Sequence, residues 1–174
     1  ASLQIEFSTQ ASQVDESIEP DEPAAVAARR LACAKAAAVA VQHPQAVIVA
    51  SDTCMQVDGR IAGKPADRKH AVRMLKSWAG CRAAVCTALC VVGSRGSISL
   101  LRSGWIDFAA CQDEQIEAYL AASPGALQAE GALSINEAGA LLCRAIGEDE
   151  PGTIAGLPMI SLCRMLAEQR IKLP

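Results

Sequence analysis

An uninterrupted apolar run, Ala46-Val47-Ile48-Val49-Ala50, leads straight into Ser51-Asp52-Thr53. A short run of this kind, bounded by polar residues, reads as a strand buried on both faces, and such strands belong to sheets covered by helices. Open α/β sheets bind ligands beyond the carboxyl ends of their strands. On the strand alone, Asp52 has two readings: a site carboxylate, or a residue that caps the following turn.

The flanking patterns fit an α/β class. Leu3 to Phe7 alternates with period two and reads as a strand with one polar face. After the acidic loop Val14 to Pro20, Asp21 reads as the N-cap of an Ala-rich helix with Pro23 in its first turn, running to about Gln42. Its apolar stripe is expected at Ala27, Leu31, Ala34, Ala38 and Val41, with Lys35 on the border of that stripe. Met55 to Ile61 reads as a hairpin around Asp58-Gly59. Asp67 caps a helix whose apolar face is Ala71, Met74, Leu75 and Trp78, and Gly80 stops it.

Val85 to Val92 and Ile98 to Leu101 are predicted to pair through Gly93-Ser94-Arg95-Gly96, with a further strand over Trp105 to Ala109. A helix over Gln112 to Ala122 buries Ile116, Tyr119 and Leu120. An irregular stretch from Pro124 to Gly139, strand-like Ala140 to Cys143 and a helix from Pro158 to about Arg170 complete the chain. Alternating elements with an antiparallel hairpin among them argue an α/β fold with a mixed sheet flanked by helices, rather than a strict doubly wound one.

The 174 residues suit a single domain that buries most of the surface its unfolded chain exposes. Aromatics make up only 3%, so the core must be built from small aliphatic side chains, with Phe7, Trp78, Trp105, Phe108 and Tyr119 as isolated anchors. Sixteen basic against nineteen acidic residues give a net charge of -3, without the basic stripe that binding a nucleic acid polymer requires. No segment reaches the roughly 20 apolar residues of a membrane span. The eight cysteines are scattered, with no C-x-x-C and no histidine at ligand spacing. They read as small buried apolar side chains in a reduced, cytoplasmic setting, not as disulfides or a zinc site.

Four charged positions stand out. Glu16, beside Asp15, sits in the acidic loop; Lys35 borders a buried helix face; Asp52 ends the apolar run; and Lys64 is held extended by the Pro65 that follows it. Each has an ordinary structural reading, as solvated loop, snorkelling lysine, turn cap or surface cation. Combined, two acids and two lysines would make a site for a divalent cation and a polyphosphate. The chain has no G-x-x-x-x-G-K-[ST], no G-x-G-x-x-G and no G-x-S-x-G.

Taken in order, the strings Asp15-Glu16-Ser17, Leu31-Ala32 with Lys35-Ala36, Ser51-Asp52-Thr53, Asp58-Gly59, Gly63-Lys64-Pro65 and Gly156-Leu157-Pro158 resemble those of the Maf family of nucleoside triphosphate pyrophosphatases. The resemblance covers nearly the whole chain. It implies a Maf/ITPase-like architecture, a curved sheet with a cleft between two lobes, and hydrolysis of a common or modified nucleoside triphosphate to the monophosphate and pyrophosphate with Mg²⁺ or Mn²⁺. It implies Asp52 as the carboxylate that activates water, Glu16 and Asp52 as metal ligands, and Lys35 and Lys64 as triphosphate ligands. Thr53 and Asn136 would take part in substrate choice. A homodimer is implied as well.

Some of the family pattern is changed. The family's opening strand and S-x-S-P-R-R phosphate loop have no counterpart in the chain, which starts about where the second strand does, so the single domain 1–174 is expected to lack them. Ala83 stands where the family's G-x-x-H-x-V-x-T string has His, and Asn136 where related strings have Gln or Glu. These departures motivate an alternative reading, a degenerate, non-catalytic Maf-like protein that binds a nucleotide or a cell-division partner.

Overall fold

The long hairpin predicted through Gly93 to Gly96 is the centre of the molecule. In the computed structural model, which describes residues 5–173, β3 (Arg82–Gly93) and β4 (Gly96–Phe108) pair antiparallel along their whole length, from Arg82 opposite Asp107 to Gly93 opposite Gly96. Gly96 closes the turn at φ +97°, a conformation open to glycine at little cost. The two short strands read on this side of the turn are one: Arg102-Ser103-Gly104 interrupts the apolar pattern but not the pairing.

β1 (Ile48–Val57) pairs antiparallel with the other side of β3, β2 (Arg60–Ala62) folds back on the end of β1, and β5 (Cys143–Glu148) edges β4, giving the order β2-β1-β3-β4-β5. The α/β class and the helix-flanked sheet are as expected, and every described pairing is antiparallel. β1 extends well past Asp52, which faces Ala88 of β3 within the ladder. The aspartate is therefore neither a turn cap nor a strand terminus. Among the described residues, the other edge of β1 is paired only from Met55 onward.

Strand alternation then divides the molecule. Cys54, Ala88 and Cys90 face α1 (Ala24–Gln42), which lies on them through Ala24, Ala27, Ala28, Ala32 and Ala36. Met55, Val57, Val85, Ile106 and Phe108 belong to the main core, with Leu75 of α2 (Arg68–Trp78) and Ile116 and Tyr119 of α3 (Asp113–Ala122). Leu89 and Val91 meet Leu162, Met165 and Leu166 of α4 (Met159–Glu168).

Several local expectations hold. Asp58 and Gly59, both at positive φ, turn the β1–β2 hairpin, and the Asp67 carboxylate accepts from His70 N at the start of α2. All eight cysteines are free, Cys54 and Cys90 buried. Others are corrected. Pro23 rather than Asp21 flanks α1, and Asp21 sits in a turn at φ +59°. The buried stripe of α1 is rotated from the expected one, leaving Val41 exposed, because a helix that is mostly alanine carries no side-chain contrast with which to mark a face. Residues 138–142 form a 3₁₀ turn, so β5 starts only at Cys143. Leu3 and Gln4 lie outside the described residues, Ile5 to Phe7 are irregular, and Phe7 is exposed instead of anchoring the core.

The buried Tyr119 hydroxyl fixes the loop after α3: it donates to Ala132 O (2.9 Å) and accepts from Ser134 N (2.7 Å). Tyr119→Phe leaves both backbone groups without that partner and is expected to cost about 1–3 kcal/mol. Urea unfolding of the variant against wild type, at unchanged m-value, measures it.

Candidate active site

The alanines of α1 allow a close approach to the sheet, and Lys35, on the same face as Leu31 and Ala32, reaches the strand below. Its ammonium lies 2.5 Å from Asp52 Oδ1 and 2.8 Å from Glu16 Oε2. Glu16 comes from the loop before α1, which Arg30 ties to the helix by donating to Ser17 O (3.0 Å) and Glu22 Oε2 (2.7 Å). Three residues picked out in the sequence, separated by up to 36 positions, thus meet at one point.

Two carboxylates around one ammonium leave a net negative charge, and Asp52 and Lys35 both titrate away from their ordinary values. Burial raises the Asp52 carboxyl above the ordinary range and the nearby Glu16 charge adds to the rise, together outweighing the pull of Lys35. Burial works to lower Lys35, but its hydrogen bonds and attraction to Asp52 and Glu16 outweigh it and hold the ammonium above its usual value. The contact favours the charged form of both partners, and at Asp52 burial outweighs it. Beside them, burial and the Asp52 charge push the Cys54 thiol up to about 12, so it stays protonated and is no nucleophile.

Asp52 and Lys64 line an open cleft of about 510 Å³ between the Glu16 loop and the β1–β2 hairpin. Six carboxylates border it, from Glu16, Glu19, Asp21, Glu22, Asp52 and Glu130, against the cations of Arg60 and Lys64. Thr53, adjacent to Asp52 but on the opposite face of β1, contacts Thr87 Oγ1 (2.9 Å), which donates to Thr153 O (2.7 Å). Thr53 opens onto a second cavity of about 220 Å³, walled by Met55, Val85, Ile106, Leu133 and Ile154. Asn136 is exposed and lines only this second cavity, apart from the charged cluster.

Sequence reasoning gave no role to Glu130, which lines both cavities. Lys64 Nζ is 3.9 Å from its Oε1. Burial raises its carboxyl above the ordinary value, Lys64 opposing and Asp52 and Glu16 reinforcing the rise. The local signal was the glycine after it: Gly131 holds φ +67°, and a Cβ there would come within 1.8 Å of the Met55 side chain. Glycine suits this position because its positive φ would strain a side chain and the Trp78 ring crowds the space beside it.

Glu16 and Asp52 are the carboxylates that could hold a divalent cation with oxygen ligands, and their chemistry suits Mg²⁺ or Mn²⁺, which keep several waters and take one or two carboxylates with phosphate oxygens. Among the described residues, no three His, Cys, Asp or Glu side chains form a ready metal cage. No described helix is long and apolar enough to cross a membrane.

The chain belongs to the family described as Maf-like protein, whose pattern matches residues 1–169. Its relatives include 7-methyl-GTP pyrophosphatases. That of Xanthomonas oryzae pv. oryzae is 36% identical over 172 residues, covering 99% of this chain and 90% of the relative. That of Albidiferax ferrireducens is 37% identical over 179 residues (99% and 87%), and that of Alcanivorax borkumensis is 32% identical over 174 residues (99% and 88%). The family read from the ordered strings is borne out, and the enzyme class it implied, a nucleotide pyrophosphatase acting on an acid anhydride, is that of these named relatives.

A carboxyl raised by burial holds its proton in the folded state over a pH window in which the unfolded chain has lost it, so stability falls as pH rises through that window. Glu130→Gln removes this loss. The variant is expected to melt higher than wild type at neutral pH, with the difference closing as pH drops below the ordinary carboxylate range. A lower melting temperature at neutral pH would show instead that the Lys64 pair outweighs burial.

Proposed function

We propose that the chain hydrolyses a nucleoside triphosphate, 7-methyl-GTP first among candidates, to the monophosphate and pyrophosphate. The observation that carries this reading is the convergence of Glu16 and Asp52, which line a charged cleft beside a smaller apolar cavity, on the Lys35 ammonium. The larger cleft suits a triphosphate and the smaller one a base, which gains from apolar walls and few polar groups.

In this reading Lys64 and Arg60 take phosphate oxygens from one side of the cleft, and Lys35 secures Asp52 at its floor. Water attacks the α-phosphorus, the bond to the bridging oxygen breaks, and pyrophosphate leaves. Asp52 orients the water and accepts its proton; a carboxyl raised by burial is a better base at neutral pH than an ordinary one. A polyanion entering a cleft with more carboxylates than cations needs added positive charge, which supports a divalent cation held by Glu16 and Asp52. Such a cation would neutralise phosphate oxygens and acidify the attacking water. A cytoplasmic homodimer belongs to the same proposal, and light scattering on the purified chain tests the dimer.

Asp52→Asn should retain the fold and lose at least about 10² in turnover, the scale for a positioned base. Thermal melting and pyrophosphate release on one preparation test both halves, and equal activity removes Asp52 from the mechanism. Chelation of divalent cations should abolish release in the wild type, and Mg²⁺ or Mn²⁺ should restore it.

Lys64→Ala should weaken triphosphate binding more than monophosphate binding, because the lost partner is a terminal phosphate oxygen. Calorimetry with both ligands decides, and equal losses would place Lys64 outside the phosphate site.

A further inference from the structure

The smaller cavity holds one charge. Its walls are Met55, Val85, Ile106, Leu133 and Ile154 with a few neutral polar groups, and Glu130 is the only ionisable side chain that lines it among the described residues. No described hydrogen bond reaches the Glu130 carboxylate, and its Lys64 partner stands 3.9 Å away, half exposed. A carboxylate so placed, beside an apolar chamber and short of compensation, is costly to the fold unless an occupant supplies the missing positive charge. Among the described residues, Glu130 forms no three-member group of His, Cys, Asp or Glu with Glu16 and Asp52.

Methylation of a purine at N7 creates such an occupant: the alkylated imidazole ring carries a delocalised positive charge on a flat, largely apolar body. We propose that Glu130 is a specificity-determining residue of this chain, selecting a cationic, N7-alkylated purine over a neutral purine by charge. Entry of the polyphosphate into the adjoining cleft strengthens the effect, because Lys64 turns to phosphate and leaves Glu130 to the base. The chamber walls accept the ring and its methyl group, and the carboxylate supplies the discrimination that apolar walls alone give only weakly. This inference rests on the proposed function for the placement of base and phosphates in the two cavities.

The test uses monophosphates, which the enzyme would not cleave, so that binding is read apart from turnover. Calorimetry just below neutral pH compares 7-methyl-GMP with its 7-deaza counterpart, which keeps the methyl group but is neutral, and with GMP. Wild type should bind 7-methyl-GMP about tenfold or more tightly than either neutral ligand, a charge-assisted contact's worth of affinity. Glu130→Gln should lose that preference, and Glu130→Asp should keep part of it.

Equal binding of the two methylated ligands by wild type would overturn the inference in favour of apolar packing of the methyl group, whatever the variants do. An equal loss for GMP and 7-methyl-GMP in Glu130→Gln would also overturn it, by placing the carboxylate on the guanine Watson–Crick edge. Pyrophosphate release from GTP and 7-methyl-GTP separates this from the broader reading. Turnover of both without preference defeats the inference alone, whereas a charge preference in binding without turnover of any triphosphate defeats the proposed reaction alone.

Discussion

The close seat of α1 on β1 and β3 is the constraint on which the rest of the site depends. Ala24, Ala27, Ala28, Ala32 and Ala36 are all essentially inaccessible, and they pack on Cys54, Ala88 and Cys90, which are themselves small. A larger residue at any of these contacts would have to push the helix outward, since close-packed interiors absorb even one added methylene poorly. Lys35 would then withdraw from Asp52, and Glu16, tied to the same helix through Arg30, would move with it. The alanine content is thus the geometric condition for a short reach between a helix lysine and a strand aspartate.

That reach sets an electrostatic condition in turn. A partly buried ion pair is poor evidence of stability, because desolvation offsets the attraction. Here burial, helped by the second carboxylate that shares the ammonium, leaves Asp52 harder to ionise than an ordinary aspartate. Glu130 lies under a similar burden from burial. The floor and the seam of the site therefore hold more negative charge than the protein itself compensates, where a fold selected for stability alone would carry amides or apolar groups. The uncompensated charge fits sites whose ligand brings positive charge of its own.

Much of this was legible in the sequence, for physical reasons that can be named. The Gly93–Gly96 hairpin, the Asp58-Gly59 turn and the Asp67 cap are local chemistry, and each stands where its residues put it. Glu16, Lys35, Asp52 and Lys64 were legible as ordered strings, and the structure brings the first three into contact and Lys64 into the same cleft. What was not legible depends on tertiary contact. The face of α1 is chosen by the sheet, since about half of its residues are alanine and mark no face. The continuation of β1 through Ser51-Asp52-Thr53 needs β3 beside it, because those polar residues read locally as a stop. Glu130 sits in a stretch without periodicity, and its place at the seam follows from Gly131 passing close to Met55 and from Tyr119 holding the loop behind it.

A single strand, β1, faces both cavities. Successive side chains of a strand point to opposite faces, so Asp52 projects toward α1 and the charged cleft while Thr53 projects toward Thr87 and the apolar cavity. Asp58 and Gly59 then turn the chain back at the end of β1, and Lys64 follows β2 at the lip of the cleft. The loop after α3 crosses behind the strand, with Gly131 N bonded to Gly63 O (3.1 Å), which holds Glu130 next to Lys64. Residues facing the charged cleft and the apolar cavity are therefore adjacent on β1, and the loop hydrogen bond joins the far sides of the two cavities. A one-residue slip in the pairing of β1 with β3 would exchange the two faces and dismantle both cavities at once. The polar rungs resist such a slip: Ser51 Oγ donates to Gly156 O at 2.7 Å, and Thr53 meets Thr87 two residues along. The register that places the catalytic candidate is in this way held by the residues beside it on the opposite face.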